Sequence, residues 1–226
     1  MFHVNSILEG VSKEVISGQE SKLVGLLQND SEARKTLDFI NRDAKLKKAY
    51  DTAKVAHAGQ ERSFGKHTQP YIFHTIDVVG FLRQSGVKDI NKYIVAILHD
   101  SLEEQKLTVN EVVSMFGKDI AKYVSQVNLQ NDTDDNFYKT KIVQPTHEFI
   151  RDVKLADRLS KLKFFHGLRG GFSPEKKTEL VTEYENLKTE TGKHYNHWFD
   201  NGTNVGLRKQ YALYMMQNHS DDSSPV

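Results

Sequence analysis

Residues 93–98 read YIVAIL, a run with no polar side. A helix of that composition is apolar all round and is stable only when other elements cover it on every side. The run therefore predicts a core helix enclosed by neighbours, and the rest of the 226-residue chain supplies helices to enclose it. Residues 5–28 carry apolar positions near helical spacing, interrupted by Gly10 and Gly18, and predict one or two helices. A single helix is predicted from a capping Ser31 to about Ala58, through Leu37, Ile40, Leu46, Tyr50, Ala53 and Ala56. GQERSFGKHTQP (59–70) carries two glycines and a proline and predicts a loop. Pro70 then opens a helix through Ile72, Ile76, Val79 and Leu82 to a cap at Gly86. The apolar core helix begins near Asp89.

Thr108 and Glu111 form a capping-box pattern, and Gly117 ends or bends the helix they head before DIAKYVSQV (119–127) continues. NLQNDTDDNFYK (128–139) predicts a surface loop. Pro145-Thr146 opens a helix with Phe149, Ile150, Val153, Ala156, Leu162 and Phe165 near one face, broken by Gly167, Gly170 and Gly171. Ser173-Pro174 starts the next, through Leu180, Tyr184 and Leu187, and a last helix is predicted over 205–216. Only four prolines and few alternating apolar/polar stretches argue against a β-rich fold. The sum is an all-α bundle of about seven to nine helices with no parallel-sheet unit.

Composition narrows the chemistry. Lysine and arginine number 31 against 30 acidic residues, so nothing in the net charge of +1 calls for a nucleic-acid or membrane partner, and anion binding must be local to a pocket. Cysteine is absent, which leaves nitrogen and oxygen as the metal ligands. The opening MFHVNSILEG lacks a basic stretch followed by an apolar run, and no segment reaches the roughly 18 apolar residues of a membrane span. A cytoplasmic protein is the expectation; a homo-oligomer is neither required nor excluded.

The apolar core helix ends in His99-Asp100. An ionisable pair at the end of such a run needs compensation, because an unpaired buried carboxylate is costly to desolvate. His74 lies in the first turn of a helix whose neighbours Ile72, Ile76 and Val78 are apolar. Asp157, in KLADRL, follows Val153 by four residues and Ile150 by seven, which places its carboxylate near the core-facing side. Three helices thus each point an imidazole or carboxylate inward. Two imidazoles and two carboxylates suit a divalent ion such as Mn²⁺, Fe²⁺ or Zn²⁺, with positions left for water and a phosphate oxygen. The alternative is four separately satisfied polar residues in a helical bundle.

The order His…His-Asp…Asp on helices resembles the HD phosphohydrolase superfamily. AHAGQERSFG (56–65), PYIFH (70–74), AILHDSLEE (96–104), LTVNEVVSMFGKDIAKYV (107–124) and VKLADRL (153–159) narrow the resemblance to the hydrolase domain of RelA/SpoT-type alarmone enzymes, in its small stand-alone form. The resemblance implies an HD-domain helical bundle over 45–200, with an N-terminal helical extension over 1–44 and a C-terminal helix and frayed tail over 201–226. It also implies removal of the 3′-pyrophosphate from guanosine tetra- or pentaphosphate, with Mn²⁺ held by His74, His99, Asp100 and Asp157. By position, Arg62 matches the arginine that packs on the guanine base, and Ser63 lies in the same base-binding loop.

Two departures stand out. Where the family has Glu-Asp to position or deprotonate the attacking water, this chain has Glu103-Glu104, one methylene longer at the second position. Where the family has an asparagine four residues after the last aspartate, this chain has Lys161. Lys161 is one turn from Asp157 and is read either as a substrate-binding lysine that meets phosphate, as a partner that holds Asp157, or as a solvent-facing side chain. Three functions follow: an alarmone hydrolase, an HD phosphohydrolase acting on another phosphorylated nucleotide such as NADPH, or a weakened nucleotide-binding or regulatory protein. No P-loop, dinucleotide fingerprint or nucleophile elbow competes. His194 and His197 lack an evident carboxylate partner, and Phe164-Phe165 and Trp198-Phe199 read as packing residues.

Overall fold

Aspartates set the helix boundaries at the start of the chain. The computed structural model describes residues 13–102, 106–127, 148–168, 172–195 and 204–217, in two compact units, residues 1–131 and 132–226. In the first unit, α1 (Lys13–Asn29) runs unbroken through Gly18, and α2 (Ser31–Arg42) and α3 (Ala44–Ala56) follow. Asp30, not Ser31, caps α2, its Oδ1 accepting from the Ala33 amide at 2.9 Å. The single helix expected over 31–58 is divided at Asp43. That residue is extended (φ −106°, ψ 123°), and its carboxylate accepts from the Lys45 and Leu46 amides at 2.9 and 3.0 Å. Those bonds satisfy donors that a new helix start leaves orphaned.

The expected loop over 59–70 is a β-hairpin. β1 (Glu61–Phe64) and β2 (His67–Pro70) pair antiparallel, Glu61 opposite Pro70 and Phe64 opposite His67, around a two-residue turn whose Gly65 has φ 58°. The Tyr71 amide donates to Gln60 O at 2.9 Å and closes the hairpin's base. From α1, Gln19 Nε2 donates to the same carbonyl at 3.1 Å.

Pro70 precedes α4 (Tyr71–Gln84), as expected, and the helix is buried continuously from Ile72 to Leu82. It ends where Gly86 (φ 79°) lets the Val87 amide reach Leu82 O and its own amide reach Arg83 O, a Schellman stop. α5 (Ile90–Leu98) is capped by Asp89 and buried from Lys92 to Leu98, as its composition requires. It packs against α3, α4 and α7 (Lys118–Val127). The Thr108/Glu111 capping box heads α6 (Val109–Phe116), which stops at Gly117 (φ 89°). α2 lies close on α4: a Cβ at Gly80 would meet Thr36 Oγ1 at 3.2 Å.

In the second unit α8 (Glu148–Gly167) packs against α9 (Pro174–Tyr195) and α10 (Val205–Met216). Asn204 caps α10 through Gly206 and Leu207, while its own amide donates to the buried Asp152 Oδ1 at 3.1 Å. At the other end Lys188 Nζ donates to Gln217 O at 3.0 Å. Among the described residues there are ten helices and one hairpin, against the seven to nine helices expected; full stops at Asp43 and Gly117 account for the difference. The architecture is all-α, and no helix among the described residues is long and apolar enough to cross a membrane. The expectations for 128–139, Pro145-Thr146, Gly170-Gly171, the side chains of Leu187 and His194, His197, Trp198-Phe199 and the terminal tail lie outside the described residues.

His57, the C-cap of α3, is buried at 3% exposure with Nδ1 2.7 Å from Gln60 Oε1. Burial pushes its imidazole down to about 4, and nearby Lys106 and His99 push the same way against the Gln60 bond and the Asp100 charge. Between pH 6.5 and 4 the unfolded chain therefore binds more protons at this site than the folded one, so stability falls as pH falls through that window. With chelator present, urea unfolding should show the wild type losing on the order of 1–3 kcal/mol more than His57→Asn between pH 7 and pH 4.5. Parallel losses would remove His57 as the cause. Separately, Gly80→Val should lower unfolding free energy by roughly 1–3 kcal/mol through overpacking against Thr36, read as a lower urea midpoint at unchanged slope; an unshifted midpoint would show that α2 can yield.

Candidate metal centre

Helices α4 and α5 bring three of the expected ligands together. His74 sits in the first turn of α4 at 0% exposure. His99 follows α5 directly at 2% exposure, with Asp100 next in chain. His99 Nδ1 donates to Ala96 O at 2.8 Å. That bond assigns the ring proton to Nδ1 and leaves Nε2 as the ligating atom of a neutral imidazole. The two Nε2 atoms are 3.3 Å apart, and Asp100 Oδ2 lies 3.0 Å from His99 Nε2 and 3.8 Å from His74 Nε2. All three ligand atoms fall within 4.8 Å of one another.

Such a cluster needs a positive charge at its centre. The His99 Nε2 lone pair meets a carboxylate oxygen, and lone pairs at that distance repel unless a proton or cation lies between them. One proton serves a single pair, whereas a divalent cation serves all three donors. Two ligands about 2.0–2.2 Å from a common ion, at tetrahedral or octahedral angles, stand roughly 3.0–3.4 Å apart. The 3.3 and 3.0 Å separations lie in that range, and the His74–Asp100 separation of 3.8 Å is somewhat wider. The residues present therefore fit a divalent metal with nitrogen and oxygen ligands.

Around the cluster lie Tyr71, His57, Gln60 and Lys106, for which the sequence had pointed to no functional role, together with Arg62. The Tyr71 hydroxyl donates to Asp100 Oδ2, and its ring stacks on His57 (centroids 4.7 Å apart, 26°) and meets the His74 ring edge-on at 5.3 Å. The Arg62 guanidinium lies over the same ring, 5.8 Å from its centroid. Gln60 Oε1 accepts from Lys106 Nζ, which is also 3.4 Å from His57 Nδ1. The available signal was spacing: Tyr71 precedes His74 by three residues on one helix, so both project to one side.

The remaining candidates are distributed as follows. Arg62 is half-buried in β1, and Ser63, exposed on the same strand opposite Thr68, faces the other side of the hairpin. Glu103 and Glu104 lie outside the described residues; of their neighbours, the Leu107 amide donates to Ser101 O at 2.9 Å. Asp157 belongs to the second unit, on α8, at 6% exposure. Lys161 Nζ is 3.0 Å from Asp157 Oδ2, so of the placements open to this lysine the structure has it on the aspartate rather than out in solvent.

No family model matches the chain. Curated relatives include a guanosine-3′,5′-bis(diphosphate) 3′-pyrophosphohydrolase of Aquifex aeolicus, 31% identical over 124 residues covering 52% of this chain and 17% of the relative. The same enzyme name is carried by a Spiroplasma citri protein, 32% identical over 163 residues covering 64% of this chain and 20% of the relative. The bifunctional (p)ppGpp synthase/hydrolase SpoT of Escherichia coli is 29% identical over 148 residues, 62% of this chain and 20% of the relative. The chain thus spans about a fifth of the length of the curated relatives it matches. A solved structure described as a metazoan ortholog of SpoT that hydrolyzes ppGpp superimposes with TM-score 0.56 at 22% identity, covering 76% of this chain and 94% of that one. In fold the chain matches that structure, and in sequence it is similar to the HD-type hydrolase domain of RelA/SpoT enzymes, as the motifs implied.

Proposed function

We propose that the protein hydrolyses the 3′-pyrophosphate of guanosine tetra- or pentaphosphate with a divalent metal, Mn²⁺ by preference. The observation that carries this reading is the convergence of His74 Nε2, His99 Nε2 and Asp100 Oδ2 on one point. Similarity to enzymes of that name supports the substrate. In this reading His74, His99, Asp100 and Asp157 hold the ion, within a hydrolase domain spanning 45–200 flanked by the 1–44 and 201–226 extensions. When bound, the ion supplies Lewis acidity: it makes water a better nucleophile near neutral pH and offsets phosphate charge. The Glu103-Glu104 pair would position or deprotonate the attacking water, a role open to a carboxylate general base. Arg62 packs its planar cation on the guanine, with Ser63 in the same loop. The protein acts in the cytoplasm and needs neither nucleic acid nor membrane.

Lys161 favours a second substrate class. Its ammonium sits beside Asp157 with the side chain 35% exposed, where it adds positive charge in the place the family keeps a neutral asparagine. A phosphorylated nucleotide with an additional phosphate near the sugar, such as NADPH, suits that charge.

Purified protein with Mn²⁺ should release pyrophosphate from guanosine tetraphosphate, and Asp100→Ala should reduce the rate by on the order of 10³-fold or more. No turnover at micromolar enzyme with Mn²⁺ supplied would sink the alarmone reading. On a panel that includes NADPH, Lys161→Asn should shift kcat/KM towards guanosine tetraphosphate. A preference unchanged by that substitution would show that Lys161 does not choose the substrate.

A further inference from the structure

We infer that Tyr71 is a positioning residue that links the arginine of the base loop to the carboxylate of the metal cluster. The inference rests on the metal-dependent reading above and assigns a role to a side chain that reading leaves unused. Tyr71 donates its hydroxyl to Asp100 Oδ2, the same oxygen that faces both histidine nitrogens. The Asp100 side chain is 16% exposed, so it has water to turn towards; a hydrogen bond from a fixed donor holds Oδ2 on the cluster side. Tyr71 is itself fixed from several directions. Its amide is bound to Gln60 O, its ring stacks on buried His57, and its edge meets His74.

The same ring carries the Arg62 guanidinium at 5.8 Å, within the range of a cation–π contact. One face of chemistry thus orients a ligand, and the other seats the cation proposed to meet the base. A packing role does not account for this placement. Tyr50, Tyr93 and Tyr184 are buried, whereas Tyr71 is only half-buried at the head of a helix that is covered from its second residue onward. The hydroxyl is what reaches Asp100 Oδ2, a bond that a ring alone would not supply.

Two substitutions separate the two halves. Tyr71→Phe removes the hydroxyl and keeps the ring; Tyr71→Leu removes both. Mn²⁺ binding to the intact chain, measured by calorimetry without nucleotide, should weaken about 10- to 100-fold in both variants. Guanosine tetraphosphate binding, measured with chelator so that no turnover occurs, should be unchanged in Tyr71→Phe. It should weaken about 3- to 10-fold in Tyr71→Leu, and Arg62→Ala should weaken binding no further in the Tyr71→Leu background. Wild-type Mn²⁺ affinity in Tyr71→Phe overturns the link to Asp100, a readout that stands even where Tyr71→Leu fails to fold. Additive effects of Arg62→Ala and Tyr71→Leu, or no nucleotide binding by the wild type under chelation, overturn the link to Arg62. Failure of the proposed reaction looks different: binding behaves as stated, and the metal-loaded wild type does not turn over.

Discussion

Two imidazole nitrogens 3.3 Å apart, with a carboxylate oxygen 3.0 Å from one of them, sit where the two most enclosed helices of the first unit come together. The helices that carry the two histidines shield them from water, while Asp100 keeps a partly exposed edge. α4 is covered from Ile72 to Leu82 and α5 from Lys92 to Leu98, so neither helix has a solvent face that could host these groups instead. Low local polarity strengthens both the repulsion among the donors and their attraction to a cation. The enclosure therefore turns three ordinary side chains into a strong preference for one small positive charge. It also couples that charge to the fold, since a ligand bound only by the folded state stabilises it by mass action.

The cluster is supported by a second layer built from the hairpin and the end of α3. Gln60 joins that layer to α1 through its carbonyl, which accepts from both the Tyr71 amide and Gln19 Nε2. Its side chain meets His57 and Lys106, and Lys106 stands just beyond the segment that carries Glu103 and Glu104. The hairpin, the His74–His99–Asp100 cluster and Lys106 are thus tied by hydrogen bonds and ring contacts rather than by packing alone. Side chains held at this many points lose little further freedom when a ligand arrives, which is how positioned groups lower a barrier.

Much of this was legible in the sequence because it is local. Pro70 before α4, Asp89 before α5, the Thr108/Glu111 box and the glycines at 86 and 117 act within a turn of where they stand, and each falls at the boundary its chemistry specifies. His74, His99 and Asp100 were legible because they are ionisable residues in apolar runs. Asp43 was missed because the apolar spacing from Leu37 and Ile40 to Leu46 and Tyr50 carries on across the break, and periodicity does not register a one-residue cap. The hairpin was missed because four-residue strands are too short to show alternation; its register depends on the turn at Gly65 and on pairing that no single strand encodes. Tyr71 and His57 were passed over for a different reason. An aromatic in a helical segment reads as core, and the stacking of two rings fourteen residues apart exists only once the hairpin has folded between them.

Lys161 is where local chemistry and the proposed reaction meet most sharply. Its ammonium stands 3.0 Å from the oxygen of a carboxylate that is 6% exposed, and in that position it offsets the charge burial would otherwise penalise. In the proposed site, where Asp157 serves as the fourth ligand, one carboxylate would answer both a divalent ion and the lysine on its Oδ2. The two roles considered for Lys161 are then ends of one equilibrium. The lysine offsets the Asp157 charge; on the proposed reading, an ion that took up that charge would leave the ammonium more of its own for a phosphate. An asparagine at this position can do neither, because it has no charge to lend or release. On the proposed reading, the substitution would link metal loading to anion affinity through a single side chain, each favouring the other as linkage requires.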